Sequence, residues 1–398
     1  MGKMLLRSAA NSVSTRTVAD SYYHLSCAGI VPLNAGFEQN TQIKSYTALV
    51  FSRFGVRVNL NSNDQTMTAW LRKNAGNGNQ FASVGAGLTG VFVDIANTDS
   101  IVSDDLVNAY VQAAGTISFR INAIFCGSEN TGGNENLICG GRVGSSLDST
   151  LYYPLNGHGW NASSTLVDYI IRAAATVGKT GIRVNSNVST IDRMFRSFKN
   201  GANGNIAITV TALTTGVFED LGHSDSLSVG DTFCWVRLWV GGVGTHYVDL
   251  IFCAYSSDNI PYTTGFEPST FSAVNYFPMD RLTNLNTVEA STQIPAPFAM
   301  QFTNLQVRIN SGSLNVNTMT FRKNGAPTAL AVLLPNTGLS PLDTDAVSVA
   351  KGALITFEFT FVSGNNSVIW LHIDSIEALP AGGVKKSAAI SLLGAGVL

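Results

Sequence analysis

Charge is what this sequence has least of. Asp, Glu, Lys and Arg together make up 13% of its 398 residues, against about 25% in ordinary soluble proteins. The formal net charge is −2, so composition offers no basis for binding nucleic acid or an anionic membrane. The five histidines and five cysteines are equally sparse. Cys27, Cys126, Cys139, Cys234 and Cys253 form no CxxC pair, and no histidine stands beside Cys, Asp or Glu at ligand spacing, which argues against zinc. The cysteines read as buried free thiols, behaving as small hydrophobes. No apolar run is long enough to span a bilayer, and the start MGKMLLRSAANSVS is too weakly apolar for a signal peptide. Synthesis in a cytosol is the expectation. Sustained helical periodicity is missing as well.

Catalytic signatures are also lacking. There is no Gly-x-Ser-x-Gly elbow, no His-Glu-x-x-His and no phosphate loop. Gly85-Ala86-Gly87-Leu88-Thr89-Gly90 fits G-x-G-x-x-G, yet the next residues, Val91–Asp94, are β-like. The dinucleotide fingerprint needs a helix there to receive the pyrophosphate, so this segment reads as a loop. Asp99, Asp225 and Asp345, with Asp105 and Asp231, recur at strand ends, where they read as turn caps rather than calcium ligands. Asn74, Asn200 and Asn324 read the same way. Lys73, Lys199 and Lys323 are taken as solvated strand ends. Trp70, Trp160 and Trp239 are assigned to core or interface packing rather than to stacking on sugars. No catalytic, cofactor or metal residue emerges, and the chain reads as a non-enzyme without cofactors.

What is present is a long internal repeat. Arg57-Val58-Asn59 returns as Arg183-Val184-Asn185 and as Arg308-Ile309-Asn310. Lys73-Asn74 returns as Lys199-Asn200 and Lys323-Asn324, and Gly90 as Gly216 and Gly338. A period this long means a copied domain, since solenoid units are far shorter. Each copy, at roughly 125 residues, has room for its own core.

Within a copy, apolar residues alternate: Met67, Ala69 and Leu71 on one face, Thr68, Trp70 and Arg72 on the other. Asn-Gly-rich segments then supply the positive φ angles of a tight hairpin. Some eight short strands separated by turns predict an all-β chain of three tandem antiparallel β-sandwiches, jelly-roll-like, with short arms. The expected division is an N-terminal arm 1–17, modules 18–128, 129–256 and 257–380, and an apolar tail 381–398. Boundaries are placed near Gly127–Gly133 and Ser256–Asn259.

The phrases Tyr152-Tyr153-Pro154-Leu155-Asn156-Gly157, Arg183–Asn187, Phe198–Asn205, Thr215–Asp220 and Thr320-Phe321-Arg322-Lys323-Asn324-Gly325 carry a resemblance. The pattern resembles a β-sandwich module repeated in virion structural proteins of tailed bacteriophages. It covers nearly all of 18–378. Repeat 1 departs from it, with Tyr22-Tyr23-His24-Leu25 at its opening and Ala75 where the others have Gly. The resemblance implies a non-enzymatic structural role, foremost capsid decoration or cement, with the major capsid protein or other virion proteins as partners. Self-association or a pseudo-trimer would fit, with assembly on the virion surface after synthesis in the host cytoplasm. A head- or tail-fibre appendage that binds a receptor or glycan is the alternative. Contacts to a partner are expected from the arm, at Leu5, Leu6 and Arg7, and from the tail, at Ile390, Leu392 and Leu393.

Overall fold

The computed structural model describes residues 3–8, 20–25, 33–34, 38–114, 118–131, 135–143, 149–239, 241, 244–257, 259–263, 269–271, 273–277, 279, 286–311, 317–362 and 366–377. Among these the chain is all-β, with six sheets of five or six strands. No sheet draws strands from two repeats. Each repeat folds into one outer and one inner sheet, and successive strands shuttle between them.

The outer sheet holds an opening strand (Asp20–Tyr23, Leu151–Tyr153, Asn275–Phe277), a return strand (Leu106–Ala113, Thr232–Leu238, Leu354–Thr360) and a hairpin. The hairpins pair Met67–Lys73 with Gly76–Val84, Arg193–Lys199 with Ala202–Val210, and Asn317–Lys323 with Ala326–Leu334. The inner sheet is built on a long central strand (Leu49–Asn61, Ala175–Asn187, Met300–Ser311). Beside it lies a closing strand (Phe119–Asn130, His246–Ser256, Asn366–Glu377). A leading strand (Lys3–Ser8, Glu135–Val143, Ile260–Thr263) completes it, so residues that precede each sandwich finish its inner sheet. Strand Phe119–Asn130 runs through Gly127, which therefore lies inside a sheet. Every described strand pair is antiparallel except Gly140-Gly141 with Gly157-His158.

The sequence alternation is realised. Met67, Ala69 and Leu71 are buried while Thr68, Trp70 and Arg72 lie on the other face. Phe302 of an inner sheet and Phe321 of the facing outer sheet bring ring centroids to 4.9 Å. Closing strands behave differently: Phe119–Asn130 and His246–Ser256 are buried almost without interruption. A strand wrapped on one side by its own core alternates, so unbroken burial means the second face is also covered. Cys126, Cys139, Cys234 and Cys253 are buried free thiols, whereas Cys27 lies outside the described residues.

Each hairpin turns in two left-handed residues: Asn74 and Ala75 (φ 49° and 63°), Asn200 and Gly201 (50° and 79°), Asn324 and Gly325 (52° and 78°). Ala75 thus takes the conformation its glycine counterparts take. The Asn side chain fixes the turn, its Oδ1 accepting from Leu106, Thr232 or Leu354 N at 2.8–2.9 Å. Its Nδ2 donates to Asp105 (2.6 Å) and Asp231 (2.7 Å). Repeat 3 has Ala353 there and lacks that carboxylate.

Gly85–Gly90 is a loop leading into the strand Gly90–Val93. The acidic caps need one correction. Asp99 and Asp225 face Phe51 and Val177, but the equivalent Phe302 faces Val347, not Asp345. Asp345 donates its backbone N–H to Asp343 Oδ1, at 2.9 Å. The carboxylates shared by all repeats are Asp94, Asp220 and Asp343, which accept from Phe81, Ala207 and Ala331 N at 3.1, 2.9 and 2.6 Å. Asp99 adds Asn79 N (2.7 Å) and Asp225 adds Asn205 N (2.9 Å). These bonds occupy outward N–H groups of the hairpin's edge strand, and so blunt an edge that would otherwise template strand addition.

Candidate functional site

The covered face of each closing strand leads to the seams between repeats. Between the opening and central strands, every repeat carries a short clasp: residues 42–46, 168–172 and 293–298. Within it two residues (Ile43–Lys44, Tyr169–Ile170, Ile294–Pro295) pair with the return strand and hold the rest proud of the sandwich. Each clasp sits on the inner sheet of another repeat.

The clasp of repeat 1 lies on repeat 2. Tyr46 stacks on Phe252 at 5.6 Å and donates to Glu219 Oε1 at 2.8 Å, while Lys44 Nζ lies 3.1 Å from the same carboxylate. Arg183 Nη2 donates to Gln42 O at 3.0 Å. Gly181 makes room, since a Cβ there would collide with the Tyr46 hydroxyl.

The clasp of repeat 2 lies on repeat 3. Tyr169 donates to Asp374 Oδ1 at 3.1 Å, and its ring is 4.4 Å from that of His372. Arg172 Nη2 reaches Gln306 Oε1 at 2.8 Å, and Trp370 Nε1 donates to Leu166 O at 2.8 Å. Asp374 is satisfied further by His372 Nε2 (2.9 Å) and Asn304 Nδ2 (2.7 Å).

The clasp of repeat 3 returns to repeat 1. Arg57 Nη1 donates to Gln293 O at 2.7 Å, and Asn122 Nδ2 to Ser291 O at 3.3 Å. Phe298 and Pro297 pack over Gly127 so closely that a Cβ there would lie 2.6 Å from the Phe298 ring and 2.8 Å from Pro297 Cβ. The contacts therefore run 1 to 2, 2 to 3 and 3 to 1, and the ring closes on itself.

The recurring Arg of the Arg-(Val/Ile)-Asn phrase acquires a role here. Arg57 and Arg183 each hold a clasp carbonyl of another repeat. Arg308 occupies the third position, where the Asp168 carboxylate opposes the downward pull of burial on its pKa. Burial lowers Arg57 too, and brings Arg183 down to about 10 against the opposing charge of Asp249. His24, buried beside Arg183, is pushed down to about 3, first by desolvation and then by that guanidinium. Burial and the nearby Asp374 push the Tyr169 hydroxyl well up. These seams bury polar groups, which makes each unmatched group costly and each match specific.

Other sequence-singled residues fall elsewhere. Leu5, Leu6 and Arg7 lie on the leading strand of repeat 1, opposite Gly127, Cys126 and Phe125. Ile390, Leu392 and Leu393 lie outside the described residues. The lysines are anchored rather than loose: Lys73 binds Ser100 O (2.9 Å) and Asp105 (2.8 Å), Lys199 binds Ser226 O (2.8 Å) and Asp231 (2.9 Å), and Lys323 binds Ser348 O (3.1 Å). Trp160 packs partly buried against the core, and the Trp239 ring lies 4.0 Å from the Arg193 guanidinium. Trp70 is half-buried on the solvent face of the repeat 1 outer sheet. The clasps escape sequence reading because their key residues differ (Tyr46, Arg172, Pro297). Only their constant distance from the Arg phrase marks them.

No protein-family profile matches the chain, nor does any curated protein. Among solved structures, dimeric latent PorU from Porphyromonas gingivalis aligns over 92% of this chain at 11% identity and a TM-score of 0.21. The chain spans a third (33%) of that protein's length. PNGF-II aligns over 84% of this chain and 100% of its own, at 7% identity and a TM-score of 0.19. At these scores neither likeness carries an argument about fold or function.

Proposed function

We propose that this chain is a non-enzymatic structural protein of a tailed-bacteriophage virion, an auxiliary protein that decorates or cements the capsid. The observation that carries the reading is the closed ring of clasps. Three equivalent seams let one chain act as a pseudo-trimer, presenting three similar faces around an approximate threefold axis. Such an object suits a partner site of threefold symmetry, because near-identical surfaces meet near-identical partners at once. Its work would be burial of area across neighbouring capsid subunits, at about 25 cal/mol per Å² of apolar surface before association costs. The resemblance of the Thr-Phe-Arg-Lys-Asn-Gly phrase to virion modules points the same way. The seams use their polar groups for internal matching, which suits scaffolding.

The test is to shear tails from purified virions and ask whether the chain co-sediments with DNA-filled heads. Retention on heads, and rebinding of purified monomer to stripped heads, is the expected result. Recovery with the tail fraction, or failure to bind stripped heads at micromolar concentration, overturns the reading.

A further inference from the structure

One face sets repeat 1 apart from the other two repeats. On the solvent side of the repeat 1 outer sheet, Tyr22, Tyr110, Trp70 and Phe81 stand directly opposite one another across four adjacent strands. Equivalent rows read Tyr152, Val236, Arg196, Ala207 in repeat 2 and Tyr276, Glu358, Thr320, Ala331 in repeat 3. Four aromatic rings in line therefore occur in one repeat only. Tyr22 and Tyr110 stack at 4.9 Å, and Tyr110 and Trp70 at 5.8 Å. The stack ends there: Phe81 makes no ring contact among the described residues and is 45% exposed. One face of the Trp70 indole is used by Tyr110, leaving the side toward Phe81 without a ring partner.

We propose that this row is a binding site for a neutral glycan. Its charges are matched internally, which selects against an ionic ligand, and the Arg72 guanidinium lies over the Tyr22 and Tyr110 rings (5.7 and 5.1 Å), which leaves Trp70 and Phe81 as the ring faces offered. The Arg72 guanidinium is held by Glu38 at 2.6 and 3.1 Å, and Asp20 accepts from the Tyr110 hydroxyl at 2.6 Å. Sugar rings carry weakly positive C–H groups on one face, and these suit the negative face of an indole or phenyl ring. Strands about 4.8 Å apart set the Trp70 and Phe81 positions about 5 Å apart, the scale of one or two sugar units. A standard protein partner would need about 800 Å² from each side, and this row has Tyr110 at 8% exposure and only Phe81 truly open. The edge strand bearing Phe81 has N–H groups of Asn79, Gln80 and Phe81 taken by Asp99 and Asp94, so an added peptide strand finds few donors. The proposal is independent of the capsid reading, since it requires no virion.

Affinity electrophoresis of the full chain tests it, using soluble neutral polysaccharides (a β-1,4-glucan, an α-1,4-glucan, a xylan, a galactomannan and a neutral O-polysaccharide) and acidic polygalacturonate. The expected result is retardation by at least one neutral polymer. Trp70→Ala and Phe81→Ala each weaken it at least tenfold, while Trp70→Phe retains most of it. Because Phe81 is half exposed, its variant keeps the wild-type melting temperature and guards against misfolding. Retardation by none of the neutral polymers, or only by the acidic one, overturns the proposal. So does retardation that survives both alanine variants, or a monomer–dimer equilibrium abolished by them, which would make the row a self-association face.

Discussion

The ring closes through the clasp of repeat 3 at Gly127, where the first and last repeats meet. Gly127 follows a register irregularity in its strand but has no positive φ, so alanine is compatible with its backbone and the perturbation is steric. The added methyl would lie 2.6 Å from Phe298 and 2.8 Å from Pro297, far inside contact distance. Overpacking of this kind costs roughly 1–3 kcal/mol. Phe298→Ala removes the ring and should cost a similar amount through lost packing. In the double variant, the methyl added by Gly127→Ala occupies space the ring has vacated. The two changes should then couple by at least about 1 kcal/mol relative to their sum, as neighbours do. Urea unfolding gives the stabilities, and small-angle scattering reports whether Gly127→Ala expands the particle. Gly222→Ala, where no atom lies within 4 Å of the new methyl, serves as the neutral control. Additivity within about 0.5 kcal/mol, or an unchanged radius of gyration with unchanged stability, would refute the closed seam.

Ala75 adopts φ 63° where glycine stands in the sister hairpins, so Ala75→Gly should stabilise by about 1 kcal/mol. Gly201→Ala should destabilise to a similar degree, both read by thermal denaturation. His24 and His246 are pressed down to about 3 by burial and neighbouring arginines. The unfolded chain takes up protons below about pH 6.5 while the folded one does not, so stability falls as pH drops from about 6.5 toward 3. The slope is about 1.4 kcal/mol per pH unit for each histidine, and His24→Gln should flatten it in urea titrations between pH 6.5 and 4. Tyr169→Phe removes one donor to the buried Asp374 at the seam of repeats 2 and 3. It should cost roughly 1–2 kcal/mol and speed hydrogen exchange in the strand 366–377 ahead of the rest, while a uniform change would contradict the seam.

Sequence alone determined the repeat, the all-β character and the hairpins, because these are local. Alternation at Met67–Leu71 has to bury one face of a strand, and Asn-Gly pairs have few other uses than a tight turn. The same locality misled at Asp345, whose following residues (Asp-Ala-Val, for Asp-Ser-Ile and Asp-Ser-Leu) match its siblings while its register does not. Local reading took Lys73 and Lys199 as solvated strand ends; they are partly exposed, and each is also held by a carboxylate that local sequence did not pair with it. Only the tertiary structure decided what covers the closing strands, how the three copies meet, and that Tyr22, Tyr110, Trp70 and Phe81 form a row. Those facts depend on which distant strands become neighbours. Clasp residues as different as Tyr46, Arg172 and Pro297 can fill equivalent places because each is matched to its own seam, so no shared letter marks them. The aromatic row is scattered over positions 22 to 110, and strand pairing alone brings it into line.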